Sequence, residues 1–482
     1  TEEAERVRKA VVIQAEAEAQ EKLVKDIKAA EVLRTPTADR RPAPEGAGAE
    51  PPTGVEPARV LDLALLVGEL LLASGEAAED VEAAMLAVVH AYRLHPCDPQ
   101  VTFTRVAISY QPGPSEPSLS AECSVRRPAV DYARLAAVFR LVTEITVGGM
   151  AVPEAHGRLV AARRHSRRYS GRLFVLSCAG MAGAATLLIG GRADARAWLV
   201  FTSAVVAALM GERFSALVAR HDFPAFYQFV AAAVPAAVIG ILLSFNGLHL
   251  RGSVVITGGL YAVLPGWPMV AAAQDGLTGF YLTAAARLLE ALYLMAGVVI
   301  GVMTVLYVGV NNGADLAAQN GPPGAVNPPL QLAAAVLLTL AFAVLLNTEP
   351  ATLPAVLLNS AAGWSTYGVL VNAGGEPILA TGLAAGLVGL SGQLMARCRG
   401  SSALPHITAA LGPLLPGSVL YFGMLAFVRG EPEVGLSGIG RAGAMAMALA
   451  IGVNLGRELA RLFLPVPRVA APPRRRGGRH RR

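Results

Sequence analysis

The chain has 482 residues, of which 54% are hydrophobic and 16% charged, and its mean hydropathy is positive. That composition excludes a string of ordinary soluble domains, because so much apolar surface must face lipid. The net charge of +6 does not point to nucleic acid. The arginines gather beside the apolar block, at Arg163, Arg164, Arg167, Arg168 and Arg172 and at Arg474, Arg475, Arg476, Arg479, Arg481 and Arg482. Such runs set topology and touch anionic lipid.

Residues 1–34 are rich in Ala, Glu, Lys and Gln and favour helix, with only a patchy apolar stripe from Val7 to Ile27. The run Thr35 to Pro57 repeats proline and lacks aromatic or β-branched clusters, so it reads as a linker. No apolar signal segment opens the chain, and the first apolar span is expected to direct insertion.

Residues 58–170 read as a small α+β cytoplasmic domain. Leu61, Leu65, Leu66, Leu70 and Leu71 fall at helical spacing, Gly75 breaks the pattern, and a second helix opens with Glu76, Glu79 and Asp80, acids that suit a helix N-terminus. Val101 to Tyr110 is rich in strand formers, and Leu119, Ala121, Cys123 and Val125 alternate with polar neighbours, which predicts a hairpin. Amphipathic helices over 129–147 and 153–168 lead to the membrane. His90, His95, Cys97 and Cys123 match no standard zinc spacing, and with Cys178 and Cys398 scattered there is no disulfide framework; no metal or cofactor is expected.

Ten apolar spans follow, over 171–190, 196–212, 225–245, 252–273, 283–308, 330–346, 351–372, 377–396, 404–427 and 440–463, each approaching the ~20 residues that a ~30 Å hydrocarbon core demands. They fall into blocks 171–310 and 330–464, joined by an external loop 311–329 without Lys or Arg, and a basic tail 465–482 ends the chain. The charge distribution puts both termini in the cytoplasm. Leu264-Pro265-Gly266 returns as Leu415-Pro416-Gly417, and Ile300-Gly301-Val302 as Ile451-Gly452-Val453, both displaced by 151 (415 − 264 and 451 − 300). Equal displacement with five spans per block predicts a duplication, inverted because five is odd. The breaks Pro265-Gly266 and Pro416-Gly417 are then expected near a substrate path, although simple kinks would look the same.

The candidate site is the stretch Gln274-Asp275-Gly276-Leu277-Thr278-Gly279-Phe280 with Arg287 and Glu290 beyond it. Arg287 and Glu290 share a helical face and neutralise each other, while Asp275 meets either the arginine or a cavity. The expected arrangement pairs Arg287 with Glu290 and leaves Asp275 to carry a proton; the plainer alternative is an interfacial charge set that snorkels to headgroups. Glu212-Arg213 reads as a span end, Arg397 and Arg399 as a cytoplasmic boundary, and Asn359, Gln393 and Asn454 as path-lining or interhelical groups. There is no Walker-type loop and no nucleophile elbow, so neither ATP-driven transport nor hydrolysis is indicated.

The chain resembles the threonine/serine exporter family from about Val60 to Leu464, most specifically in ASGEAAEDVEAAM at 73–85, DPQVTFTRVAI at 98–108, DYARLAAVFRLVTEITVGGMAVPEAHGRL at 131–159 and AAAQDGLTGFYLTAAARLLEALYLMAGVVIGV at 271–302. The charged extension, proline linker and arginine tail have no counterpart in the family motifs. The resemblance implies export of L-threonine and L-serine driven by the proton motive force, from a mainly α, polytopic inner-membrane protein of about ten helices in two inverted five-helix repeats. Expected partners are a small amino acid, protons and membrane lipids, with no enzyme activity; self-association into a homo-oligomer stays open. The runner-up is a membrane receptor with a cytoplasmic sensor domain.

Overall fold

The computed structural model describes residues 56–463, apart from 114–115, 126–129, 149, 165–167, 192–193, 246–251, 262, 264–265, 314–327 and 400. The expected helix over 1–34, most of the linker, most of the loop 311–329, Pro265 and the basic tail lie outside the described residues.

Helix α1 (Pro57–Ala73) begins on a proline, where the missing N–H has no partner to lose. It ends before Gly75, whose φ of +95° suits glycine alone. Helix α2 (Ala78–Ala91) follows. Strands β1 (Cys97–Val101), β2 (Arg105–Tyr110) and β3 (Leu119–Ser124) form an antiparallel sheet in the order β1-β2-β3. The strand expected over 101–110 is therefore divided: the Thr102 N–H and hydroxyl both donate to the Arg105 carbonyl, at 2.9 and 3.0 Å, and turn the chain back. β1 runs through Pro99, which an edge strand tolerates. Helices α3 (Tyr132–Gly148) and α4 (Val152–Arg164) complete this portion, around a core that includes Leu63, Leu71, Met85, Ile108 and Leu135.

The bundle comprises α5 (Gly171–Gly190), α6 (Ala195–Ala219), α7 (Ala225–Phe245), α8 (Gly252–Leu260), α9 (Gly266–Leu277), α10 (Tyr281–Asn311), α11 (Pro328–Leu345), α12 (Leu353–Asn372), α13 (Pro377–Arg399), α14 (Leu404–Thr408) with a 3₁₀ turn at Ala409–Leu414, α15 (Gly417–Val428) and α16 (Pro432–Phe463). Among the described residues seven of these helices are long and apolar enough to cross a membrane, or up to eight if the pair Leu404–Leu414 and Gly417–Val428, bent by 42°, is one span. The segment expected over 252–273 is split into α8 and α9, each short of a bilayer. α12 has the length but carries Asn359, Ser360, Ser365, Thr366 and Asn372, which lower its hydropathy. Glu212 and Arg213 do not end a helix, because α6 continues to Ala219.

The two portions differ in what they show to the outside. Leu176, Leu289, Leu379, Leu383 and Leu462 are more than half exposed on the bundle, whereas before residue 170 the described large exposed hydrophobics are Leu119 and Val147. An apolar exterior of that extent fits lipid, not water.

The junction between the portions is hydrogen-bonded throughout. Asn347 ends α11 with φ +55°, and its side-chain amide donates to Asp131 Oδ1 at 2.7 Å. The Tyr132 N–H donates to the Leu346 carbonyl at 3.0 Å and its hydroxyl to Thr408 Oγ1 at 2.9 Å. Tyr169 donates to the Thr348 carbonyl at 2.8 Å, and Arg140 grips Glu349 with both terminal nitrogens, at 3.1 and 2.9 Å.

Helix boundaries recur in register. α9 and α15 begin at Gly266 and Gly417 (417 − 266 = 151), and α10 and α16 at Tyr281 and Pro432 (432 − 281 = 151). The Tyr261 hydroxyl donates to the Gly412 carbonyl, again 151 residues away. The counterparts α10 and α16 also reach the N-terminal portion from opposite ends: Arg287 sits in the second turn of α10 and Arg457 near the end of α16, yet both touch residues between Glu76 and Asp80.

α13 and α16 pack backbone to backbone. A Cβ on Gly452 or Gly456 would overlap the carbonyl oxygen of Gly382 or Gly386, the small-residue spacing that lets membrane helices approach closely. Gly456→Leu is expected to cost at least roughly 1–3 kcal/mol by overpacking, seen as a lower melting temperature and loss of the monodisperse peak in detergent. Gly440→Leu, where the added atoms meet open space, should leave both unchanged. Equal behaviour of the two variants would contradict the seam.

Candidate functional site

The charged residues of α9 and α10 meet the loop between α1 and α2. Asp275, near the end of α9, is fully buried. Its Oδ2 forms an ion pair with Arg287 Nη1 at 2.9 Å, and its Oδ1 accepts the Ala78 N–H at 3.2 Å. Ala78 is the first residue of α2, and the capping position, Ala77, has no side chain to offer. A carboxylate from α9 thus caps a helix of the N-terminal portion, where the helix dipole also favours its charge. Arg287, 6% exposed, donates in addition to the Glu76 carbonyl at 3.0 Å. The pair neutralises itself and holds the backbone of residues 76–78.

This differs from the expectation that Arg287 pairs with Glu290 and leaves Asp275 to change its solvation. The turn after α9, closed by the Phe280 N–H on the Asp275 carbonyl at 2.9 Å, folds α9 back along α10 and brings Asp275 to the arginine. Of the two partners the sequence leaves open for Asp275, the arginine or a cavity, the structure gives it the arginine. Nor does Arg287 snorkel; it is buried under the 74–80 segment, while Glu290, three residues on, is half-buried.

Beside the pair lies a narrow polar cavity. Glu76 and Asp80 line it from the N-terminal portion, and Gln274, Gln393, Ser402 and Arg457 from the bundle. Asp80 pairs with Arg457 at 3.0 Å. Glu76, expected at the open start of α2, is instead 3% exposed and accepts the Ser402 hydroxyl at 2.9 Å. Burial raises its pKa from the usual 4.5 to about 7, and the charge of Asp80 adds to the effect, against weaker opposing influences from Ser402, Arg457 and the Ala77 N–H. A carboxyl in this position changes charge near neutrality.

Of the residues singled out in the sequence, Gln274, Asp275 and Arg287 come together here, and Gln393 joins them. Asn359 donates to the carbonyls of Val388 and His406, at 3.1 and 3.0 Å, and so bonds helix to helix. Glu76, Asp80, Ser402 and Arg457 were not recognised as a group. A signal existed for one of them, since Arg457 is an arginine inside an apolar helix, as Arg287 is.

The helix breaks lie away from this cavity. Pro265 is outside the described residues, and Gly266 opens α9. Pro416 and Gly417 border an apolar cavity of about 180 Å³ shared with Tyr261, Met269 and Leu420. Pro416 also borders a second cavity with Trp364, Tyr367 and Ser418.

Comparison with known proteins agrees with this architecture. A family model described as a putative threonine/serine exporter matches residues 62–309, half of the chain, and one described as "Threonine/Serine exporter, ThrE" matches residues 331–457. The chain is 33% identical over 419 residues to the probable threonine/serine exporter of Mycobacterium tuberculosis, covering 83% of this chain and 76% of the relative. It is 29% identical over 428 residues to the threonine/serine exporter of Corynebacterium glutamicum, covering 86% and 84%. No solved structure matches. With its apolar bundle and its match along both halves, the chain belongs to the threonine/serine exporter family of multi-pass membrane proteins.

Proposed function

We propose that the protein exports L-threonine and L-serine from the cytoplasm, driven by the proton motive force through alternating access. The names of the relatives support the substrate. The observation that carries the reading is the set of ionisable and amide groups buried between the N-terminal portion and the bundle. Such groups cost several kcal/mol in apolar surroundings unless paired, and they typically mark a path for an ion or a substrate. The receptor reading has no comparable support, since the curated relatives are described as exporters.

On this reading residues 58–170 form a cytoplasmic α+β domain, both termini face the cytoplasm, and all ten apolar segments enter the bilayer as two inverted five-helix repeats, 171–310 and 330–464. The common displacement of 151 and the approach of α10 and α16 from opposite ends support the inversion. The Pro265-Gly266 and Pro416-Gly417 breaks open the helices around the substrate path, which the cavities beside Pro416 support. Asp275 and Arg287 act as the mechanical link that carries movement of α9 and α10 to the cytoplasmic domain. Gln274 faces the polar cavity.

The direct test is flux of labelled L-threonine and L-serine in proteoliposomes. Uphill movement is expected with an imposed proton gradient, and its collapse with a protonophore; gradient-independent flux would contradict proton coupling. The link makes its own prediction. Asp275→Asn strands Arg287 without a counter-charge, at a cost of roughly 3–5 kcal/mol, and Arg287→Gln strands the carboxylate. The double variant should lose far less than the sum, with a coupling of roughly 0.5–3 kcal/mol in a thermal-unfolding cycle. Additive losses would show that the two side chains do not act as a pair.

A further inference from the structure

The charges around the interfacial cavity do not balance. Two carboxylates, Glu76 and Asp80, and one guanidinium, Arg457, line it, and Arg457 is engaged by Asp80. The neighbouring charges are committed elsewhere: Arg287 to Asp275 and the Glu76 carbonyl, and Asp275 to Arg287 and the Ala78 N–H. On α3, Arg134 donates to Ser74 at 3.2 Å and the Tyr132 hydroxyl to Thr408; on α14, His406 meets the Ser402 carbonyl at 3.3 Å. When ionised, Glu76 is the carboxylate in excess, and what meets its oxygen from the bundle is the Ser402 hydroxyl.

We infer that this cavity is the loading site for the exported amino acid, with Glu76 receiving the substrate ammonium in place of a proton and Arg457 receiving its carboxylate. The inference rests on the export reading above. The chemistry of the lining fits an α-amino acid with a hydroxyl. A carboxylate free of a cation of its own takes the ammonium, a five-donor guanidinium fork takes the carboxylate, and Ser402, Gln274 and Gln393 supply donors and acceptors for the side-chain hydroxyl. As it stands the cavity has about 20 Å³, room for a water and not for an amino acid, and its two walls belong to different parts of the protein, so on this inference loading requires the 74–80 segment to part from the bundle. Loading breaks the O–H bond of the Glu76 carboxyl, the proton leaves to water, and the ammonium pairs with the carboxylate left behind. A protonated Glu76 attracts no ammonium, so proton and substrate exclude each other. The carboxyl titrates at about 7, which places this competition near neutral pH.

The test is calorimetric titration of the purified full-length protein with L-threonine, in pairs of buffers that differ in ionisation enthalpy. At about pH 6 the wild type should release close to one proton per L-threonine bound, falling towards zero by about pH 8, and its affinity should tighten up to about tenfold per pH unit before levelling off. Glu76→Gln should weaken binding more than about tenfold at pH 8 and abolish the pH dependence, while Glu76→Asp keeps proton release. Wild-type binding without proton release at pH 6, or Glu76→Gln with the wild-type pH profile, overturns the inference. If Glu76→Gln does not yield folded protein, the wild-type proton count decides. A wild type that drives uphill L-threonine flux yet releases no proton on binding leaves export standing and sinks the loading site; a wild type without gradient-driven flux of either amino acid sinks both.

Discussion

One buried ion pair ties the protein together. Asp275 and Arg287 cancel each other's charge, which makes their burial tolerable. Each then spends a remaining donor or acceptor on the backbone of residues 76–78. The N-terminal portion is thereby attached to the bundle at the start of α2, where an uncapped helix offers N–H groups that need an acceptor. The Tyr132, Asn347 and Arg140 contacts secure the same junction through neutral hydrogen bonds and a half-exposed ion pair.

Docking at that point creates the polar site. Glu76 and Asp80 come from the N-terminal portion, and Ser402 and Arg457 from the bundle. Where they meet, burial of Glu76, with the charge of Asp80 adding to it, raises its pKa to about 7. The same junction that stabilises the protein thus produces a group with unusual proton affinity at the boundary of the apolar bundle.

The bundle supplies the rigid frame for this arrangement. α10 has 31 residues, ~46 Å at 1.5 Å per residue, longer than a ~30 Å hydrocarbon core, and its second turn carries Arg287 to the junction. α16, which begins 151 residues after α10, carries Arg457 to the same junction near its C-terminal end. The glycine seam between α13 and α16 holds Gln393 and Arg457 on closely packed backbones. The charges do not follow that displacement: the residues 151 positions beyond Asp275 and Arg287 are Ala426 and Gly438.

Much of this was legible in the amino-acid sequence, because apolar periodicity and charge density report directly on solvent. The membrane block, the boundaries of most of its helices, the turn at Gly75, the register of 151 and the concentration of polar groups at Gln274, Asp275 and Arg287 follow from local pattern. Patterns along one segment also misled. Val101 to Tyr110 reads as one strand because its residues are strand formers throughout, and the tight turn that divides it, closed by Thr102 on the Arg105 carbonyl, contains no glycine, proline or asparagine to announce it. Arg287 and Glu290 read as partners because they are three apart, with Asp275 left to meet the arginine or a cavity; the fold of α9 against α10 decides for the arginine. The cavity was beyond sequence reasoning altogether. Its residues come from positions 76, 80, 274, 393, 402 and 457, and burial of Glu76 is a property of two surfaces meeting, which no stretch of either one encodes.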